Sequence, residues 1–379
     1  MNDVYINKIS VFLPNEPVTN KEMEDVLGKV NDQASRARRI TLRNNGIKKR
    51  YYVIDKESKE IKYNNAELTA MAVRGLVDDN LSLEDIECLA CGTSSPDQLA
   101  PNHTVMTLGE LALNTEGIAT AGICLSGLIS LKYGYMAIKS ECNNNIVATG
   151  SEVVSPMFMA NHYEALSREK VDELEKNGRV AFEKDFLRFM LSDGAGAALL
   201  QDTPNKDGIS LKIEWIDTIS YAGEMPVCMY QGGKIENNKF MSWKQFDKEE
   251  IFNQNMFAVA QNAKLLNENI VEYTITKPLS EIIERRNLKV EDIDYFLPHY
   301  SSEYFRDKLY KGLEEIDFII SKEKWFTNLS YKGNTGSASI YIIIEELLNS
   351  GKLQRGEKLL CFVPESGRFS TGFMLLEVV

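Results

Sequence analysis

Apolar positions along this chain switch repeatedly between a period of two and a period near 3.6, so that strand-like runs alternate with helix-like ones. VYINKISVFLP (Val4 to Pro14) reads as a first strand, TNKEMEDVLGKV as a helix capped by Thr19 or Asn20, and DIECLACGTSS (Asp85 to Ser95) as a strand running into a loop. In ATAGICLSGLISLKYGYMAIKS (Ala119 to Ser140) an apolar strand gives way to a long apolar helix, with Cys124 at the junction. NNNIVATGSEVV follows as another strand, so Cys124 heads the helix of a strand–helix–strand crossover.

A charged stretch, HYEALSREKVDELEKNGRVAFEKDF, then predicts a solvated helical insertion over about 158–186. DGAGAALL (Asp193 to Leu200) predicts a tight, close-packed glycine turn into a strand, because it lacks the spacing of a dinucleotide fingerprint. After the polar break QDTPNKDG the alternation begins again with KIEWIDTISYA, a helix over FNQNMFAVAQNAKLLNENI, DIDYFLPHYSS and LLCFVPESGRFSTGFMLLEVV. The pattern predicts α/β layers in two halves, 1–205 and 206–379.

Composition narrows the functional classes. The chain has 379 residues, enough for about two domains at the usual ~150 residues each. Its formal net charge of −12 argues against a general nucleic-acid binder, which needs a basic surface. MNDVYINKIS does not resemble a signal peptide, and no apolar run approaches the ~20 residues that span a bilayer. A cytoplasmic protein without membrane partners is therefore expected. Six cysteines without paired metal-ligand spacing predict reduced thiols, no metal site and no cofactor.

Cys124 alone reads more readily as a small buried hydrophobe than as a nucleophile. Two segments of the second half change that balance. YFLPHYSSEYF puts His299, one of three histidines, just after an apolar strand, and GNTGSASIYIIIEELL puts Asn334 in a polar turn opening an apolar helix. Such strand ends and helix starts are where α/β proteins build sites. A cysteine at a helix N-terminus lies in a field that favours thiolate, while imidazole and amide supply proton transfer and hydrogen-bond donors for a developing oxyanion.

The segments RRITLRNNGIKKRYY, ATAGICLSG, VATGSEVV, LSDGAGAALL, LPHYSS, GNTGSAS and SGRFSTG, in this order, resemble the β-ketoacyl-acyl-carrier-protein synthase III branch of the thiolase superfamily over nearly the whole length. The resemblance implies a five-layered αβαβα fold of two pseudo-repeated halves. It implies Cys124 as the acylated nucleophile, His299 and Asn334 completing the active site, and a homodimer burying the loop around Ala100 and Pro101. The backbone N–H groups of Cys124 and Arg368 would form the oxyanion hole.

Departures from the branch carry information too. Where typical members hold the adenine of coenzyme A between a tryptophan and an arginine, this chain has Ile40 and Asn44. Arg368 replaces a glycine of the C-terminal glycine run, where an inward-facing guanidinium would orient a β-keto group or carboxylate. With the opening FLPNEPVTNKEMEDVLG and the ending PESGRFS, these departures most resemble the dialkylresorcinol- and stilbene-forming ketosynthase-cyclases. That likeness implies condensation of a β-ketoacyl with an α,β-unsaturated acyl thioester to a cyclohexanedione, which a separate oxidase would aromatise. His299 or Glu152 would be the base. Acyl carrier protein thioesters are the expected substrates, docked by Arg306, Lys308 and Lys311 unless these merely solvate a helix face. A simple chain-initiating synthase, a thioester hydrolase and an inactive scaffold are the competing readings.

Overall fold

The computed structural model describes residues 2–35, 37–164, 186–237 and 239–379. Nine strands form one mixed sheet: β1 (Tyr5–Phe12), β2 (Cys88–Thr93), β3 (Glu116–Ala121), β4 (Asn145–Glu152), β5 (Gly194–Gln201), β6 (Leu211–Ser220), β7 (Tyr295–Pro298), β8 (Lys358–Glu365) and β9 (Ser370–Val378). Their spatial order is β7-β8-β9-β6-β1-β5-β4-β2-β3. Strands β2, β4, β5 and β8 are buried along most of their length, as expected for strands covered by helices on both faces.

The order repeats itself about a seam. β1 pairs antiparallel with β5 from Tyr5↔Gln201 to Phe12↔Ala195, β5 antiparallel with β4, and β4 parallel with β2, which is parallel to β3. In the second half β6 pairs antiparallel with β9, β9 antiparallel with β8, and β8 parallel with β7. A lone parallel bridge from Phe296 to Trp325 stands where β3 stands in the first half. Within the sheet, β1 of the first half pairs with β6 of the second at Tyr5↔Lys212 and Ile6↔Leu211.

Three helices matter for the site's surroundings: α1 (Asn65–Arg74), α2 (Ser126–Lys139) and α3 (Ser339–Leu348). Tyr341 on α3 is fully buried. A Cβ on Gly196 would lie 2.3 Å from the Tyr341 side chain, and Cβ atoms on Gly127 and Gly150 would lie 2.1 and 2.3 Å from the Ser337 carbonyl oxygen. Glycine is therefore needed at these positions for close approach between elements.

Four expectations are revised or fall outside the structure. The helix expected behind Thr19 or Asn20 starts at Met23, because Thr19 donates its N–H and hydroxyl to Glu22 and the chain turns there first. The single helix expected over Phe252 to Ile270 is split into Lys248–Asn253 and Ala263–Val271. Asn255 takes a left-handed φ of 47°, and Ala260–Gln261 then pairs with Met229–Tyr230. DGAGAALL is not a turn but enters β5 directly at Gly194; its glycines clear space for Tyr341 and Leu13. Most of the helical insertion over 158–186 lies outside the described residues. No helix among the described residues is long and apolar enough to cross a membrane.

Candidate active site

Cys124 sits in the turn between β3 and α2, two residues ahead of the helix. His299 follows β7 and extends its pairing, its N–H donating to the Phe362 carbonyl at 2.8 Å. Asn334 lies in the Gly333–Gly336 turn, tied by a parallel bridge to Leu191 and by the Ser192 N–H to its carbonyl at 2.8 Å. These three residues, from loops as much as 210 positions apart, line one cavity of about 580 Å³ together with Glu152, Glu365 and Arg368. Its apolar wall includes Met190, Leu266, Ile270, Phe305 and Leu309.

Each polar group is held in a definite state. Burial drives the His299 imidazole down to about 4, so it is neutral at physiological pH. Asn334 Oδ1 accepts the Gly336 N–H at 3.0 Å, which leaves its amide N–H groups as the end that can serve the cavity. The thiol of Cys124 departs from expectation: burial and the Glu152 and Glu365 carboxylates push it up, away from thiolate. The α2 dipole does not offset this, because Glu365 accepts the Ile123 N–H at 3.0 Å and places a negative charge at that terminus.

Glu152 is neither solvated nor ion-paired. Oε1 accepts from the Ser94 N–H, the Ser337 N–H and the Ser337 hydroxyl, and Oε2 from the Ser94 and Ser95 hydroxyls, at 2.6 to 3.2 Å. The carboxylate thus ties the end of β4 to the turn that carries Asn334. A Cβ on Gly336 would meet it at 2.7 Å. Asp193 does similar work nearby, accepting from the N–H groups of Val53, Val154 and Ser155.

Arg368 lies in the four-residue turn between β8 and β9, with an exposed side chain whose Nε donates to the Met225 carbonyl at 2.7 Å. It stands at the rim of the cavity. Neither its N–H nor that of Cys124 donates to a backbone carbonyl among the described residues, so both remain available to an oxyanion. Phe369, the next residue, is buried with φ 57°, a left-handed conformation uncommon for an aromatic residue.

Phe305, just ahead of the helix Arg306–Glu315, and Leu309 on that helix line the cavity, and the helix carries the basic residues outside it. The Arg306 guanidinium faces the Trp325 ring and lies 3.8 Å from Glu303; Lys308 stands over Tyr304, and Lys311 is exposed. Ile40, on the neighbouring helix Arg38–Asn45, is 53% exposed, and neither it nor Asn44 lines the cavity.

Glu365 was not singled out from the sequence. Its only signal there is a charged residue inside an otherwise apolar strand, LLCFVPE, immediately before the turn that contains Arg368.

Comparison with known proteins agrees with this geometry. Residues 283–377 match the family model for the 3-oxoacyl-[acyl-carrier-protein] synthase III C terminal. Over 97% of both chains, the sequence is 26% identical to a β-ketoacyl-[acyl-carrier-protein] synthase III of Clostridium perfringens. The fold superimposes on AbyA1, a tetronic acid condensing enzyme, with a TM-score of 0.76 at 16% identity over 99% of both chains. It superimposes on cerulenin-bound OleA of Xanthomonas campestris with a TM-score of 0.74 at 17% identity, covering 99% of this chain and 98% of that one. The fold is thiolase-like. These likenesses support an acyl-condensing enzyme of the synthase III kind.

Proposed function

We propose that this protein is an acyl-thioester condensing enzyme that loads an acyl group on Cys124 and joins it, by carbon–carbon bond formation, to a second acyl thioester. The observation that carries this reading is the convergence of Cys124, His299 and Asn334 on one cavity with a long apolar wall. The thiol gives its proton to His299 as it attacks the thioester. The Asn334 amide and the free N–H groups of Cys124 and Arg368 receive the oxyanions.

The finer reading is a ketosynthase-cyclase that forms a cyclohexanedione precursor of dialkylresorcinols or stilbenes. It rests on Arg368 at the cavity rim and on the sequence likeness to that branch. A simple chain-initiating synthase is the second reading, favoured by the names of the curated relatives. Carrier-protein thioesters fit both, because Ile40 offers no aromatic face for an adenine and Arg306, Lys308 and Lys311 lie on the helix that walls the cavity. We place the division between units at 205/206. A homodimer is proposed through β3, an edge strand whose side chains are largely exposed and whose free backbone edge suits pairing with a second copy.

Mass spectrometry decides between the readings. Incubated with a β-ketoacyl and an enoyl thioester, the protein should gain an acyl mass at Cys124 and release a cyclised carbon–carbon product. A linear β-keto product favours the simple synthase, and free acid alone removes the condensing reading.

A further inference from the structure

Two carboxylates line the cavity, and their surroundings differ. Glu152 is engaged on both oxygens by backbone N–H groups and serine hydroxyls, so although burial raises it as well, it is fixed and has no oxygen left for substrate. Glu365, at the end of β8, uses Oε2 to accept the Ile123 N–H at 3.0 Å, and the Leu125 N–H also turns toward its carboxylate. These two amides flank Cys124. Apart from these two amides, no donor among the described residues engages the carboxylate, and Oε1 is not sealed off by protein. The neighbours Pro364 and Ser366 line the same cavity, so Oε1 opens onto the space beside the nucleophile.

We propose that Glu365 is the general base that removes the C2 proton of the donor β-ketoacyl thioester during condensation. This assignment rests on the condensing-enzyme reading and gives it a second proton-transfer group. The Ile123 N–H holds Oε2, while the carboxylate borders the cavity that substrate would enter. Burial raises the basicity of the carboxylate.

The step balances without a further reactant. With an acyl group on Cys124, the donor C2–H bond breaks, its proton passes to Glu365 Oε1, and the electron pair remains as the enolate. The enolate carbon attacks the acyl carbonyl, and the C–Sγ bond then breaks. Sγ leaves as thiolate beside the newly neutral Glu365 and takes its proton back, so that thiol and carboxylate are both restored for the next turnover.

Glu365→Gln keeps the size of the side chain and removes the base. With defined acyl thioesters, it should still acquire the acyl mass on Cys124, no more slowly than wild type because the thiol loses a neighbouring charge, while product formation falls about 100-fold or more, the usual weight of a general base. Turnover within about threefold of wild type after normal acylation would overturn the proposal. A second measurement does not need acylation. Cys124→Ala, given the N-acetylcysteamine thioester of 3-oxohexanoate in deuterium oxide, should exchange the C2 hydrogens faster than the solution rate. The double variant Cys124→Ala/Glu365→Gln should return to that rate, and persistence of fast exchange in it would overturn the base assignment. Failure of the wild type to acylate Cys124 would instead remove the condensing-enzyme reading, and the exchange experiment would still report on Glu365.

Discussion

The Ser337 hydroxyl donates to Glu152 Oε1 at 2.6 Å, joining the end of β4 to the start of the segment that leads into α3. With four further donors on the same carboxylate, this bond fixes the turn that presents Asn334. Glu152→Ala would leave several buried donors without an acceptor, each costing roughly 1–3 kcal/mol. The expected outcome is a loss of stability of about 3 kcal/mol in urea unfolding, with Glu152→Gln milder because it keeps an acceptor oxygen.

Cys124 should behave as a protonated thiol at rest. Burial and two carboxylates raise it, so alkylation by iodoacetamide at pH 7 should be slower at Cys124 than at the exposed Cys142. Peptide mass spectrometry across a pH series checks this. Glu365→Gln, by removing one of those charges, should move the Cys124 alkylation curve to lower pH.

His103 gives a pH dependence of known sign. Burial holds its imidazole at about 4, below the ~6.5 of an unfolded chain. Between those values the unfolded state binds more protons, so the stability is fully present above about pH 6.5 and is lost as pH falls through about 4. The wild-type advantage over His103→Gln should shrink by about 2 kcal/mol between pH 7 and pH 5. Asp193, raised to about 6 by burial, contributes in the opposite sense. The difference between the two proteins cancels that shared contribution.

Arg368→Gly tests the rim arginine. Because its Nε is anchored on the Met225 carbonyl and not on Cys124, acylation should stay near the wild-type level. A guanidinium that orients the second carbonyl of a β-keto donor is worth ~10-fold or more in cyclised product, the weight of a charge-assisted hydrogen bond. Loss of both activities together would mark a folding defect.

Carrier recognition is checked by reversing the charges of Arg306, Lys308 and Lys311. kcat/KM for a carrier-bound thioester should drop about 10-fold at low salt and less at high salt, where screening already weakens steering. An N-acetylcysteamine thioester should be unaffected.

How much was legible in the sequence depends on the range of the interaction. Strand β1, the β3–α2 unit and the α3 helix follow from local periodicity, and they appear where the pattern places them. The break at Asn255 does not, because it is set by pairing of Ala260–Gln261 with Met229–Tyr230, a contact that local propensity does not contain. The residue types of Cys124, His299 and Asn334 stand out in the text of the chain, but their shared cavity depends on the sheet order. The state of the thiol was misread for the same reason: a helix terminus is visible in sequence, while the carboxylate of Glu365 reaches it from 242 positions away.

The glycines beneath α3 carry a temporal consequence. Gly127, Gly150 and Gly196 admit the Ser337 carbonyl and Tyr341 at distances no side chain would allow, so the cavity closes only when the last third of the chain settles onto the first. On the ribosome, Cys124 emerges long before His299 and Asn334 exist. During that interval the thiol lacks both of the residues proposed above to work with it. On the proposed reading, enzymatic acylation of Cys124 is thereby withheld from the nascent chain until synthesis and folding are complete.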